Sequence, residues 1–283
     1  MIMKTIIIAG MHRSGTSLIT QWLNKCGLHV GTYCLGANQT NLDGHFEDLE
    51  FVRLHEDILK DNELPESGLT EHPIRYISDY NRQRFEDLFK CKNEFFTQWG
   101  WKDPRNCLFL RYYKNNFPDS KYLFIVRDYR SVVNSLLHRS FREVDKKYLS
   151  RGVVSRFIWL HFRRERRFKL FCKENAASYL KIWIAYNEQI NSVLQTLSPK
   201  QYVLLSYPLL QSQGREAFDY LCENFNLDLN YVPFNQVYKH ELISRMTDVE
   251  DFINDESLLN QAKDLQSLLH LRLLMQDIKA YSE

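Results

Sequence analysis

Residues 10–17, Gly10-Met11-His12-Arg13-Ser14-Gly15-Thr16-Ser17, have the types and spacing to hold an anion. Two glycines bracket a short turn, a cation sits inside it, and two hydroxyls follow it. A loop whose backbone amides converge with a helix N-terminus cradles phosphate-like groups. A second pair has similar means. Arg127 ends an apolar run and Ser135 lies eight residues later. An arginine at a strand exit and a serine on the next helix can grip one cluster of ligand oxygens. On these residues alone, a plain ion pair between Arg127 and Asp128 is an equal alternative. Lys102 and Arg105, in Trp101-Lys102-Asp103-Pro104-Arg105, sit at another strand exit. They add to an anion field or merely flank an Asp-Pro turn.

These groups need elements to carry them. Residues 5–9 are a β-branched apolar run, the pattern of a buried strand. Behind the loop, Leu18, Ile19, Trp22, Leu23 and Cys26 recur at helical spacing, and Gly27 supplies a stop. Strand, glycine loop and helix nearly reproduce the phosphate-loop pattern G-x-x-x-x-G-K-[ST], with Thr16 where the lysine stands. Further strands are expected at residues 99–102, 122–126 and 201–205. Helices are expected from about 46 to 60, with Asp43 as cap, and over 76–98, 131–138, 176–196, 214–225 and 255–281. Pro104 is expected at the first position of a helix ending at Asn116. Strands alternating with helices imply a parallel sheet covered on both faces, with ligand at the strand C-terminal ends. The expected fold class is therefore α/β: a P-loop NTPase-like three-layer αβα sandwich with a central parallel sheet.

The chain of 283 residues suits a single domain, with a core over about 4–210 and a C-terminal helical part over 211–283. Fourteen per cent aromatics against ten glycines and seven prolines is a globular composition. The apolar run after Met1 is too short for a signal peptide, and Arg13 follows it closely. The six cysteines show no paired or metal-ligand spacing. Reduced thiols and a cytoplasmic location are expected. Net charge is +2, but residues 138–173 carry +9 and the remainder −7. Phe157, Trp159, Phe162, Phe168 and Phe171 interleave with the cations there. Such a stretch fits an anionic glycan, a peripheral contact with a membrane surface, or a helix flanking an acceptor cleft. Nucleic acid is not expected.

The sequence resembles the PAPS-dependent sulfotransferase family, specifically its bacterial, carbohydrate-type members. The loop at residues 10–17 is similar to that family's 5′-phosphosulfate loop. Residues 124–135, Phe-Ile-Val-Arg-Asp-Tyr-Arg-Ser-Val-Val-Asn-Ser, resemble its 3′-phosphate motif, with Arg127 and Ser135 at the matching positions. Gly44-His45-Phe46-Glu47-Asp48 and the stretch around Lys102 resemble it more loosely, and the likeness covers about residues 4–210. It implies PAPS bound by Gly10, His12, Arg13, Ser14, Gly15, Thr16, Ser17, Arg127 and Ser135, and no metal. It also implies Glu47 as general base, with His45 the alternative, and Arg13 neutralising charge at the sulfuryl group. The acceptor it implies is hydroxylated: a glycan, a lipid-linked group or a small alcohol. Arg13 departs from the lysine of cytosolic members, and Tyr129 from a common proline. No Arg-Lys-Gly occurs near the C-terminus, leaving Lys239 or Arg245 as a third phosphate contact. Two rival functions fit the residues less well: a P-loop kinase of a small metabolite, and a non-catalytic nucleotide- or polyanion-binding module.

Overall fold

A computed structural model describes residues 4–31, 46–237, 247–276 and 278. Four strands, β1 (Lys4–Ala9), β2 (Gln98–Lys102), β3 (Lys121–Ile125) and β4 (Tyr202–Leu205), form one parallel sheet in the order β2-β1-β3-β4. Ten α-helices are described: α1 (Thr16–Lys25), α2 (Leu49–Asp61), α3 (Asp79–Phe95), α4 (Asn106–Asn116), α5 (Tyr129–Leu149), α6 (Val153–Ile158), α7 (Arg164–Leu194), α8 (Tyr207–Ser212), α9 (Gly214–Phe225) and α10 (Glu256–Leu274). A π-helical turn, Trp159–Arg163, joins α6 to α7.

Strand alternation divides the core into two layers. Ile7, Ala9, Trp99, Trp101, Tyr122, Phe124 and Leu204 face α2, α3, α4, α5, α7 and α10. Ile6, Ile8, Leu123, Ile125, Val203 and Leu205 face α1, α8 and α9. The sheet is thus covered on both faces, as expected for a three-layer α/β fold. β2 and β3 lie on opposite sides of β1, so the chain crosses β1 between them. Ligand crevices in such sheets open at the strand C-terminal ends beside this reversal. The exits of β1 and β3 lie there. Gly10 permits their close approach, because a Cβ at this position would stand 2.6 Å from the Ile125 carbonyl oxygen.

On the other edge an aromatic stack ties α2 to β2. Phe51 stacks on Trp101 with ring centroids 4.2 Å apart and planes nearly parallel, and Phe89 meets both Trp99 and Trp101 edge-on. Each such buried ring contributes roughly 1.5–3 kcal/mol over an exposed one. This packing fixes where the start of α2 stands relative to the end of β2.

Several boundaries differ from expectation, for local reasons. α2 begins at Leu49, capped by Asp48, whose carboxylate accepts from the Glu50 amide at 3.0 Å. Asp43, the expected cap, lies outside the described residues. α3 is shorter than expected because Ser78 caps it. Pro104 is not the first helical residue of α4; it belongs to the turn before Arg105. The basic stretch is far more helical than expected, with α5 running on to Leu149 and α7 starting at Arg164. Cys26, Cys91, Cys107, Cys172 and Cys222 are free thiols, and Cys34 is outside the described residues. Among the described residues no helix is long and apolar enough to cross a membrane.

Candidate active site

The loop after β1 turns through two left-handed residues. Arg13 has φ 69° and Gly15 has φ 91°. The Ser14 amide donates to the Met11 carbonyl at 3.1 Å, which closes the turn. Gly15 caps α1 with no side chain, so the amides at the helix start face the loop. Thr16 is buried, and Ser17 is half-buried one residue further on. His12 is pushed down to about 3, chiefly by burial; Asp103 opposes the shift, and Arg105, Arg139 and Lys102 add to it. Its imidazole is therefore neutral at pH 7, and its buried Nε2 has no hydrogen-bond partner among the described residues.

Arginines from two further segments close one side of the loop. Arg127 Nη1 donates to the Arg13 carbonyl at 2.9 Å, and Arg13 Nε donates to Ser135 Oγ at 2.9 Å. Asp128 caps α5, accepting from the Ser131 amide at 2.8 Å. Burial, with the fields of Arg139, Arg142 and Arg127, pushes the Arg13 guanidinium down to about 10. Several like charges gathered here produce a positive field that favours an anion beside Arg13. Ser135, Arg139 and Arg142 are spaced i, i+4 and i+7 on α5, which puts them on one helix face.

The other side is built from β2 and the start of α2. Lys102 is 1% exposed, and its Nζ donates to Glu47 Oε1 at 2.7 Å and to Ser17 Oγ at 3.0 Å. Burial lowers the pKa of this ammonium, and Glu47 opposes the shift. A lysine thus reaches the start of α1 from β2, although Thr16 occupies the usual lysine position in the loop. Glu47 precedes the Asp48 cap and lies outside the helical turn, so it is not a first-turn acid. Lys92 Nζ holds Asp48 at 2.9 Å in a buried pair, which fixes the segment carrying Glu47. His45 lies outside the described residues, as do Lys239 and Arg245.

Beneath Lys102 a buried network braces the turn after β2. Asp103 Oδ2 accepts from His55 Nδ1 at 2.8 Å and from Arg105 Nη1 at 2.9 Å. Arg105 also donates to Glu56 at 3.0 Å, so neither Lys102 nor Arg105 is an exposed cation of a simple turn. Burial lowers His55 and keeps its imidazole neutral, with Tyr113 Oη donating to Nε2 at 2.6 Å. Burial raises the Asp103 pKa, but Arg105 foremost, aided by His55, holds the carboxyl well below the usual range. Asp103→Asn leaves the Arg105 charge buried with less compensation. It should lower stability at pH 7 by about 3–5 kcal/mol in urea unfolding. A depressed carboxyl contributes fully above its unfolded pKa of about 3.9 and loses that contribution as pH falls below it. Wild type should therefore approach the variant's stability in acid. A constant gap down to pH 2 would show that the carboxylate does not carry the effect.

The structure thus brings Arg13, Arg127 and Ser135 into hydrogen-bond contact, and Glu47 and Ser17 onto one lysine. Sequence reasoning left out Arg139 and Arg142, counting them only in the basic stretch; their helical spacing from Ser135 was the available signal. It also left out His55, which no local motif marks.

These features define an α/β protein with a glycine-bracketed loop at the exit of its first strand and a cluster of arginines beside it. The sequence model of the sulfotransferase family matches residues 5–231, and the chain belongs to that family. Solved structures agree in fold. Sulfotransferase STF9 from Mycobacterium avium superposes with a TM-score of 0.58 at 12% identity, over 95% of this chain and 77% of that one. Sulfotransferase STF1 from Mycobacterium tuberculosis H37Rv gives 0.54 at 13%, over 93% and 77%. The sulfotransferase domain from the curacin biosynthetic pathway gives 0.51 at 15%, over 95% and 98%. No curated protein sequence matches this one.

Proposed function

We propose that the protein transfers the sulfuryl group of PAPS, 3′-phosphoadenosine 5′-phosphosulfate, to a hydroxyl of an acceptor, without a metal. The observation that carries this reading is the contact of Arg13 with Ser135 and of Arg127 with the Arg13 carbonyl beside a glycine loop, with Lys102 and Glu47 on the loop's other side. PAPS has two anionic ends, and the chain offers two anion sites. The loop amides, Thr16 and Ser17 suit the 5′-phosphosulfate, while Arg127 and Ser135 suit the 3′-phosphate. The unpartnered Nε2 of His12 is a further neutral polar group in that loop.

Bound PAPS supplies an activated sulfuryl group, whose S–O bond to the 5′-phosphate breaks as the acceptor oxygen bonds to sulfur. The residues around it have three tasks. Arg13 and Lys102 offset negative charge that moves onto the leaving oxygens. The loop and arginines hold the donor in line with the acceptor. Glu47 Oε2, the oxygen not held by Lys102, takes the hydroxyl proton. The acceptor proposed is a saccharide hydroxyl, with a lipid-linked one the nearest variant, because the cationic face of α5 suits a partly anionic glycan.

Calorimetry tests the nucleotide assignment. Adenosine 3′,5′-bisphosphate should bind with EDTA present. Arg127→Ala and Ser135→Ala should each weaken it, by about 1.5–3 kcal/mol for the arginine. Adenosine 5′-phosphosulfate lacks the 3′ group and should lose little. Equal loss for both ligands in a folded variant would refute the 3′-phosphate site.

A further inference from the structure

We propose that the tip of the α5–α7 hairpin docks on a bilayer that carries anionic lipid. The two helices run antiparallel, pairing Ser140 with Tyr179, Asp145 with Arg164 and Tyr148 with Trp159. Inside the tip, Trp159 is buried, donates to Asp145 at 3.0 Å and stacks on Tyr148 at 4.0 Å. Phe168 and Phe171 also turn inward onto the core. Three of the five interleaved aromatics are therefore structural, which removes the stacking platform a single-stranded nucleic acid needs.

The outer side of the tip is different. α6 has no buried residue, and Val153 is 86% exposed. Val154, Phe157, Leu160 and Phe162 are exposed beside it. Arg151, Arg156, Arg163 and Arg166 are exposed in the same segment, and Glu165 is the only acid between residues 150 and 170. Next to the tip, a groove of about 520 Å³ is lined by Leu160, Leu170 and Phe252 together with Arg166, Lys169, Lys173 and Glu165. A six-residue helix with no buried side chain gains little from propensity alone. Apolar side chains at a hairpin end, with cations in the same segment, match the interface of an anionic membrane: the rings enter the acyl boundary and the cations stay with the headgroups. An acidic protein would satisfy the cations but leave an end made of valines and phenylalanines without a shaped partner. The tip stands about 20 Å along α5 from Ser135, given 1.5 Å per residue. Docking there leaves the nucleotide crevice uncovered.

Co-sedimentation with vesicles tests this. The whole protein should pellet with phosphatidylcholine vesicles containing about a quarter phosphatidylglycerol, and about tenfold less with pure phosphatidylcholine, since each cation near the surface adds several-fold. Added salt should weaken the binding. The pairs F157S/F162S and R163E/R166E should each reduce it by about tenfold or more, with melting temperature and adenosine 3′,5′-bisphosphate binding unchanged. Absence of binding to anionic vesicles would overturn the proposal, as would undiminished binding by the folded charge-reversal variant. Retention on polyglutamate without vesicle binding would point instead to an acidic protein.

Discussion

Glu47→Gln should bind adenosine 3′,5′-bisphosphate as wild type does and turn over about 10²–10⁴-fold more slowly, the usual worth of a positioned base. The glutamine keeps the size and an acceptor for Lys102 Nζ, which stands 2.7 Å from Oε1 in the wild type. What it loses is the ability to take a proton. Glu47→Asp keeps the proton acceptor on a shorter arm and should recover part of the rate. A purely structural role predicts something else. Removing the anion beside a buried ammonium would then lower the melting temperature and leave kcat per folded molecule near normal. Glu47 precedes the cap of α2, and Glu50 is the acid in that helix's first turn, so a helix-dipole role belongs to Glu50.

Arg13→Gln should lower kcat by about 10²–10³-fold, the cost of removing one donor aimed at developing charge. Nucleotide affinity should fall much less. The substitution keeps a flexible side chain at a left-handed backbone position, so backbone strain is unchanged. Arg13 Nε now donates to Ser135 Oγ, which shows that its guanidinium reaches the side of the site assigned to the 3′-phosphate. Steady-state rates with saturating donor, beside calorimetry on the same protein, separate the two effects. A loss in affinity equal to that of Arg127→Ala, with kcat preserved, would make Arg13 a second 3′-phosphate ligand.

Much of the fold was legible because its signals are local. Residues 5–9 and 122–126 are apolar runs flanked by glycine or charge, and the strands fall there within a residue. The helix expected within residues 214–225 is there, as α9. The strand–loop–helix order around residues 10–17 was legible for the same reason, since its two glycines and the apolar runs on either side lie close together in sequence. The Lys102–Glu47–Ser17 contact was not legible. Its three members are far apart in sequence, and only the stacking of Phe51 on Trp101 and the Lys92–Asp48 pair bring them together. The basic stretch misled in a different way. Interleaved arginine and phenylalanine looked like one surface, whereas a helical hairpin turns Trp159, Phe168 and Phe171 inward and leaves Phe157 and Phe162 outside. Asp48 displaced Asp43 as the cap of α2, a choice that local propensity leaves open because either carboxylate can accept from an amide.

The central claim is that the protein moves a sulfuryl group from PAPS to a hydroxyl. Radiolabelled PAPS, carrying the label on sulfur, should be incubated with the wild-type protein, EDTA and a panel of saccharides, lipid-linked sugars and simple alcohols. The account predicts label in at least one acceptor, together with an equal amount of adenosine 3′,5′-bisphosphate, and almost none with Glu47→Gln. If the protein instead moves label from the γ-phosphate of ATP in the presence of Mg²⁺ and leaves PAPS intact, the account is contradicted and the chain works as a kinase.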